Sequence, residues 1–132
     1  MFKDFFEGDP AQLAPLTLAY IGDAVYELYT RLEVLGNGNI KVNELHKKVV
    51  QRVKAQTQSK LFQEITNDLD EIELAILKRG RNAKSKHNAK NAEVIDYRRS
   101  TGIEALIGYL YLKKDKKRLE DILQKVNDII KE

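Results

Sequence analysis

The sequence predicts an all-α protein, and two observations carry that prediction. Apolar residues recur at alternating steps of three and four over residues 16–35, the spacing of one face of an amphipathic helix, and similar spacings return later in the chain. No segment alternates apolar and polar residues for long enough to make a convincing β-strand. We therefore expect one helical domain spanning residues 1–132, a length sufficient to enclose a core.

Helix start and stop signals define the first elements. Asp9 followed by Pro10 predicts a short helical turn, because aspartate caps helix N-termini and proline suits the first helical position. The main helix is expected from about residue 15 to residue 35, where Gly36 and the following Asn-Gly-Asn end it. Its apolar stripe comprises Leu18, Ile21, Val25, Leu28, Leu32 and Leu35.

The middle of the chain predicts further helices with weaker boundaries. Asn43 is the expected cap of the next helix, Thr57 or Ser59 marks a bend after it, and Asp68 or Asp70 caps the helix that follows. The positions expected to face inward are Leu45, Val49, Val53, Leu61, Phe62, Ile65, Ile72, Ala75 and Ile76.

The last third of the chain predicts a loop and two helices. Residues 83–93 are rich in Asn, Lys and Ala without hydrophobic periodicity, which indicates a mobile loop. A helix is expected over about residues 94–112, and Asp115 starts a final helix. The inward positions are Ile103, Leu106, Ile107, Leu110, Leu119, Ile122, Leu123, Val126 and either Ile129 or Ile130.

Composition and charge restrict the function. The chain has no cysteine, which excludes disulfides and thiolate metal sites, and it shows neither a signal peptide nor an uncharged run long enough to span a bilayer. We expect a cytoplasmic protein with no membrane partner. Residues 78–99 contain eight lysines and arginines against two acids, a net +6, so the rest of the chain nets −3. A basic block on an otherwise acidic domain indicates a polyanionic partner.

Two carboxylates lie near this basic block in the expected fold. Asp23 lies on the main helix, on the opposite side from its apolar stripe and beside Gly22, and Glu104 lies on the second long helix. A glycine inside a helix costs about 1 kcal/mol relative to alanine, so Gly22 suggests that another backbone approaches closely. Two helices with apolar seams are expected to pack together and to deliver Asp23 and Glu104 to one edge. Such a pair beside basic segments is suited to holding Mg²⁺ against a phosphate.

Three motifs in order resemble the ribonuclease III catalytic domain, and most closely its Mini-ribonuclease III subfamily. They are Leu-Ala-Tyr-Ile-Gly-Asp-Ala at 18–24, Leu-Lys-Arg-Gly-Arg-Asn-Ala-Lys-Ser at 77–85, and Tyr-Arg-x-Ser-Thr at 97–101 leading into Glu-Ala-Leu-Ile-Gly at 104–108. The resemblance covers nearly the whole chain. With 132 residues we expect no room for the separate double-stranded RNA-binding domain of ribonuclease III proper, which matches the Mini subfamily.

The resemblance implies an endoribonuclease that hydrolyses double-stranded RNA with Mg²⁺, for which Mn²⁺ is a possible substitute. Asp23 is then the essential catalytic metal ligand and Glu104 the second. It also implies a homodimer, products with a 5′-phosphate and a 3′-hydroxyl, and maturation of the ends of the large-subunit (23S) ribosomal RNA precursor. No small-molecule substrate is expected. Candidate RNA contacts in the basic block are Arg79, Arg81, Lys84, Lys86, Arg98 and Arg99.

The chain also departs from the wider family pattern. Leu16 and Ala19 stand where ribonuclease III carries acids seven and four residues before the aspartate, and Thr101 replaces an aspartate three residues before the glutamate. These departures leave open whether one or two metal ions bind, and whether Thr101 assists through a metal-bound water. Glu27 is either a further ligand or an i,i+4 partner of Arg31, and the second is preferred.

Two alternative functions remain open from the sequence. One is a non-catalytic RNA-binding or ribosome-associated domain on the same scaffold, which the missing acids favour. The other is a helical interaction module whose basic loop meets an acidic protein. Binding to a duplex without cleavage would select the first, and a shallow salt dependence of binding would select the second.

Overall fold

Six α-helices make up the described part of the domain. The computed structural model describes residues 5–36, 38–83 and 92–131. The helices are α1 (Pro15–Leu35), α2 (Val42–Val53), α3 (Ala55–Ile65), α4 (Glu71–Asn82), α5 (Ala92–Lys113) and α6 (Lys116–Lys131), with short 3₁₀ turns at Pro10–Gln12 and Thr66–Asp68. No strand occurs within these ranges, so the predicted all-α fold is confirmed. The loop expected over residues 83–93 lies mostly outside them.

Helix α5 is the centre of the domain. It packs most extensively against α1, α4 and α3, and it also contacts α6. Its four predicted inward positions, Ile103, Leu106, Ile107 and Leu110, are completely buried. The predicted apolar face of α6 is also confirmed, with Leu119, Ile122, Leu123, Val126 and Ile129 in the core. Because α5 is enclosed on several sides, even its charged Glu104 is partly buried.

Helix α1 has the predicted bounds but a different buried face. Leu18, Ala19, Gly22, Tyr26 and Thr30 are buried. In the predicted stripe, Leu18 is buried and Val25 packs against the core, whereas Leu28, Leu32 and Leu35 are exposed, so the stripe describes the core face only in part. Helix propensity and hydrophobic spacing cannot show that the neighbouring helix approaches too closely for large side chains. The face that meets α5 is therefore lined partly by small residues.

Two glycines allow the backbones of α1 and α5 to touch. A β-carbon built on Gly22 would lie 1.7 Å from the carbonyl oxygen of Glu104, and one built on Gly108 would lie 2.0 Å from the carbonyl oxygen of Leu18. Both distances are far below any real carbon–oxygen contact. The close backbone approach that Gly22 predicted is therefore confirmed, and the backbone that comes close to Gly22 is that of Glu104. The two glycines fix the relative position of α1 and α5.

The corner between α2 and α3 falls at Lys54, earlier than the predicted bend at Thr57 or Ser59. Three side chains satisfy the last carbonyl groups of α2. The Tyr26 hydroxyl donates to Arg52 at 2.7 Å, the Thr57 hydroxyl donates to Gln51 at 2.6 Å, and the Gln58 amide donates to Val53 at 2.8 Å. Asn43 does not cap α2, because Lys41 occupies the cap position and Asn43 lies in the first turn.

A buried ion pair connects α4 to α6. Asp70 caps α4 through a capping box with Glu73, as the sequence allowed. The Glu73 carboxylate also accepts two hydrogen bonds at 2.9 Å from Arg118, which holds the pKa of Glu73 below its usual value. Glu73 and Ile76 face the interior, whereas Ile72 and Ala75 are exposed, so those two inward assignments were wrong.

Among the described helices, none combines the length and the apolar character that crossing a membrane requires.

Candidate active site

Asp23 and Glu104 meet where α1 crosses α5. Asp23 follows Gly22, the residue whose missing side chain lets α1 touch the Glu104 backbone, so the crossing itself brings the two acids together. Their side chains are close enough to hydrogen-bond each other. Asp23 is exposed to solvent and Glu104 is partly buried. The structure thus unites the two acids that the sequence singled out, from helices far apart in the chain.

Burial and the neighbouring acid both act on the Glu104 carboxyl. Burial raises the pKa of Glu104 to about 8, and the nearby Asp23 charge is the second cause. A hydrogen bond with Asp23 raises it further, and one from Gln58 lowers it. Near neutral pH, Glu104 therefore tends to keep its proton unless a cation replaces it. A divalent ion that neutralises both acids would relieve this repulsion.

The raised pKa predicts an unusual pH dependence of stability. Between pH 4.5, the ordinary value for glutamate, and about pH 8, the folded state binds more protons at Glu104 than the unfolded state does. The contribution of protonated Glu104 to the free energy of unfolding is therefore fully present below pH 4.5, and it is lost as the pH rises through about 8. Without divalent ions, the free energy of unfolding of the wild type should fall across this window relative to that of Glu104→Gln. Urea melts at pH 5, 6.5 and 8 measure this difference, and a constant difference would contradict the assignment.

The donors at this crossing fit a hard divalent cation. They are oxygen atoms, and Mg²⁺ is usually held by one or two carboxylates while it keeps several waters. Residues 5–36, 38–83 and 92–131 contain no group of three or more His, Cys, Asp or Glu side chains arranged to hold a metal ion. A site of two carboxylates that leaves the other positions of the ion to water is consistent with this finding.

A buried polar atom beside the pair also lacks a partner among residues 5–36, 38–83 and 92–131. Gln58 is 3% exposed, and its Oε1 accepts no hydrogen bond there, although its Nε2 donates to the Val53 carbonyl. A buried carbonyl oxygen without a donor is costly. An oxygen acceptor beside two carboxylates suits a water molecule of a hydrated cation. The donor set around the crossing therefore fits Mg²⁺.

The three residues that depart from the family pattern contribute little to the candidate site. The Thr101 hydroxyl is buried and donates to the Tyr97 carbonyl at 3.1 Å, so only its acceptor capacity remains. Leu16 is half-exposed and Ala19 is buried, and neither supplies an oxygen side chain. Glu27 pairs with Arg31 at 3.2 Å on the surface of α1, as preferred from the sequence.

Two of the predicted RNA contacts share an aromatic platform. The guanidinium carbons of Arg81 and Arg99 lie 5.9 Å and 5.7 Å from the centre of the Phe62 ring, which is within cation–π range. Arg99 also donates to the Ser59 hydroxyl at 3.4 Å. Within the described part of the chain neither arginine pairs with a carboxylate. Both charges thus remain available to an external anion.

Of the remaining predicted RNA contacts, Arg79 and Arg98 do not lie on the Phe62 ring. Arg79 donates to the carbonyl groups of Ala11 and Leu13 at 3.3 Å and 3.4 Å, so it holds the N-terminal turn against α4. Arg98 is exposed on α5. Lys84 and Lys86 lie outside the described residues.

Two residues near the site were not identified as functional from the sequence. Gln58 was passed over because a single glutamine in a helix carries no motif, and Phe62 was assigned only to the core. The available signal was weak: three consecutive polar residues, 57–59, interrupt the apolar pattern of α3 and are all buried. A polar run on the core side of a helix indicates hydrogen-bonding roles that spacing alone cannot specify.

A paired-carboxylate site, on a helical domain whose described residues also offer two arginines no acidic partner, is characteristic of enzymes that hydrolyse phosphodiesters. The model of the ribonuclease III domain family matches residues 16–115, and the chain belongs to that family. Members of the family cut double-stranded RNA and generally depend on a divalent metal ion. The chain is accordingly an endoribonuclease, which disfavours the non-catalytic alternative.

Relatives place the chain in the Mini-ribonuclease 3 group. It is 48% identical to Mini-ribonuclease 3 of Clostridium tetani, over 98% of this chain and 87% of that protein. It is 43% identical to the Mini-ribonuclease 3 of Brevibacillus brevis, over 98% and 97%. A crystal structure of a Fusobacterium nucleatum protein superposes with a TM-score of 0.81 at 34% identity, covering 92% of this chain and 98% of that one. The predicted resemblance and helical fold are both confirmed.

Proposed function

We propose that this endoribonuclease cuts double-stranded RNA with Mg²⁺ held by Asp23 and Glu104, and that its substrate is the large-subunit (23S) ribosomal RNA precursor. The observation that carries the metal site is the meeting of these two carboxylates at the crossing of α1 and α5. Mn²⁺ is a possible substitute for Mg²⁺, since both accept carboxylate and water ligands.

The two acids have different surroundings and therefore different tasks. When bound, the ion activates a water for attack on the phosphorus and stabilises the leaving oxygen. Exposed Asp23 can hold the ion and orient the attacking water at the same time. Partly buried Glu104 lies on α5, which packs against α1, α3 and α4, and it supplies the more rigid ligand. The proton that Glu104 retains must leave when the ion binds, so metal affinity should rise with pH up to about 8.

Cleavage of a defined duplex tests this proposal directly. A long RNA duplex incubated with the wild type and Mg²⁺ should give fragments with 5′-phosphates, whereas the same sequence as a single strand should remain intact. Chelation of Mg²⁺ should stop the reaction. A duplex that stays whole in both Mg²⁺ and Mn²⁺ would contradict the proposal. A precursor carrying the processing stem of large-subunit ribosomal RNA, compared with an unrelated duplex of equal length, tests the finer substrate assignment.

Arg81 and Arg99 on the Phe62 platform are proposed to contact phosphates of the duplex. A-form RNA is read mainly by shape through phosphates and 2′-hydroxyls, so two arginines without acidic partners suit it. Arg98 is proposed as a further contact, and Lys84 and Lys86 complete the predicted set. Arg79 is a weaker candidate because its guanidinium already binds the N-terminal turn.

Removing one of these charges should weaken RNA binding, because one fewer phosphate is neutralised by the protein. Arg99→Gln should lower duplex affinity about equally for all sequences and should flatten the plot of log affinity against log salt by about one unit. Filter binding in Ca²⁺ at several salt concentrations measures both effects. Lys117→Gln removes the same charge from α6 and is expected to leave the slope unchanged. Equal slopes for Arg99→Gln and the wild type would exclude this contact.

A homodimer is proposed from the exposed face of α1. Leu28, Leu32 and Leu35 lie on one side of this helix, and Leu32 is 59% exposed. A row of large apolar side chains on a surface indicates an interface. Sedimentation should show a dimer for the wild type and a monomer for Leu32→Glu. The control Ile72→Glu alters an equally exposed side chain on α4 and should stay dimeric. A wild type that is monomeric at tens of micromolar would overturn the proposal.

A further inference from the structure

Gln58 has more hydrogen-bonding capacity than its structural task requires. Its Nε2 donates to the Val53 carbonyl at 2.8 Å and so helps to end α2. One amide hydrogen suffices for that bond, and a side-chain amide carries two hydrogens and one acceptor oxygen. The side chain is 3% exposed, so bulk solvent has little access to the remaining groups, and an ordered water or another fixed partner would have to satisfy them.

The same side chain also lies beside the candidate site. It is within hydrogen-bonding reach of Glu104, and this contact lowers the pKa of that carboxyl and so favours its ionised form. A hydrogen bond with that effect has the amide N–H as donor and the carboxylate as acceptor. The same amide therefore contacts Glu104 while its Nε2 donates to the Val53 carbonyl. The helix end that α1 and α3 jointly cap is thereby connected to a candidate metal ligand.

The acceptor oxygen of the same amide, Oε1, is buried and receives no hydrogen bond from the residues that the structure describes. It is bonded to the carbon that carries Nε2, so it lies close to the Glu104 carboxylate. The bond from Nε2 to the Val53 carbonyl does not require Oε1 to lie in this position. Leaving a buried oxygen unpaired also costs free energy.

We propose that Gln58 is a positioning residue for the metal site, which holds Glu104 in place through Nε2 and accepts a hydrogen bond at Oε1 from a water of the bound divalent ion. This inference rests on the proposed function of Asp23 and Glu104. Residues that orient metal ligands commonly change metal affinity or activity by about ten- to a hundredfold when they are replaced. In a site with only two carboxylates, an additional fixed acceptor partly compensates for the acids missing at Leu16, Ala19 and Thr101.

Gln58→Met removes both polar functions of the amide and keeps the length of the side chain. The matched control is Thr57→Val, which removes a neighbouring buried hydrogen bond, from Thr57 to the Gln51 carbonyl, at the same end of α2. Mn²⁺ binding without RNA, followed by the loss of the free-ion electron paramagnetic resonance signal, is the principal readout. We expect Gln58→Met to weaken Mn²⁺ binding about tenfold or more and Thr57→Val to change it less than about twofold.

Catalysis provides a second readout on the same variants. Gln58→Met should lower kcat and leave duplex affinity, measured in Ca²⁺, unchanged, whereas general damage to the fold would affect both variants alike. A Gln58→Met protein that is folded and binds Mn²⁺ like the wild type would overturn the role of Gln58 alone. Wild-type protein that neither binds Mn²⁺ nor cuts RNA would instead overturn the proposed function.

A measurement on the wild type covers the case in which Gln58→Met does not fold. The side-chain amide resonances of Gln58 should shift when Mg²⁺ is added to the wild type and should stay in place when it is added to Asp23→Asn. Resonances that do not move at saturating Mg²⁺ would contradict a contact between this amide and the hydrated ion.

Discussion

Asp23→Asn is expected to abolish cleavage of duplex RNA while leaving the domain folded. The substitution keeps the size of the side chain and removes one of two negative charges available to the ion. Losing a carboxylate ligand from a two-carboxylate site should lower the cleavage rate by about a thousandfold or more. A gel-based assay in Mg²⁺ at equal protein concentration measures the loss.

The folded state of Asp23→Asn should not be weaker than that of the wild type. The Asp23 charge is one cause of the raised pKa of Glu104, so its removal relieves repulsion in the metal-free protein. The thermal midpoint at pH 8 without divalent ions should therefore equal or exceed that of the wild type. Glu27→Gln, which removes an acid one turn away on α1, should retain cleavage because Glu27 pairs with Arg31. Equal cutting by Asp23→Asn and the wild type would remove Asp23 from the site.

Gly22→Ala should cause the largest loss of stability among single methyl additions to this chain. In an isolated helix this change would be favourable by about 1 kcal/mol. Here the new carbon would lie 1.7 Å from the Glu104 carbonyl oxygen, so α1 and α5 would have to separate. Overpacking against a rigid backbone should lower the free energy of unfolding by about 3 kcal/mol or more. Urea melts monitored by circular dichroism measure the change.

A glycine in open surroundings provides the control. The nearest atoms to a β-carbon on Gly38 are 3.8 Å and 4.0 Å away, so Gly38→Ala should change stability by less than about 0.5 kcal/mol. If Gly22→Ala remains folded, it should still cut poorly, because separating the helices also separates Asp23 from Glu104. A Gly22→Ala protein as stable as the wild type would mean that the two backbones are further apart than described.

The sequence predicted most helices because hydrophobic spacing and caps are local properties. The bounds of α1, the cap at Asp70 and the inward positions of α5 and α6 were all correct. The incorrect predictions concerned tertiary packing. Leu28 and Leu32 have the spacing of a core stripe, and nothing in the local sequence reveals that α5 meets the smaller residues beside them.

The candidate site was likewise predicted from the sequence only in part. Asp23 and Glu104 were found because each lies in a recognisable motif beside a glycine, and the structure brings them together. Their distinct surroundings, with one acid exposed and the other partly buried, depend on the whole packing arrangement and could not be read locally. Gln58 was missed for a related reason: its importance lies in what its amide reaches across the fold, and a linear pattern does not record that.

The crossing of α1 and α5 has a consequence for newly made protein. The two halves of the catalytic centre come from opposite parts of the chain and meet only when these helices dock. A polypeptide still emerging from the ribosome therefore carries an incomplete nuclease until the α5 segment has left the exit tunnel. Activity should appear at a late step of synthesis, together with the completed globule.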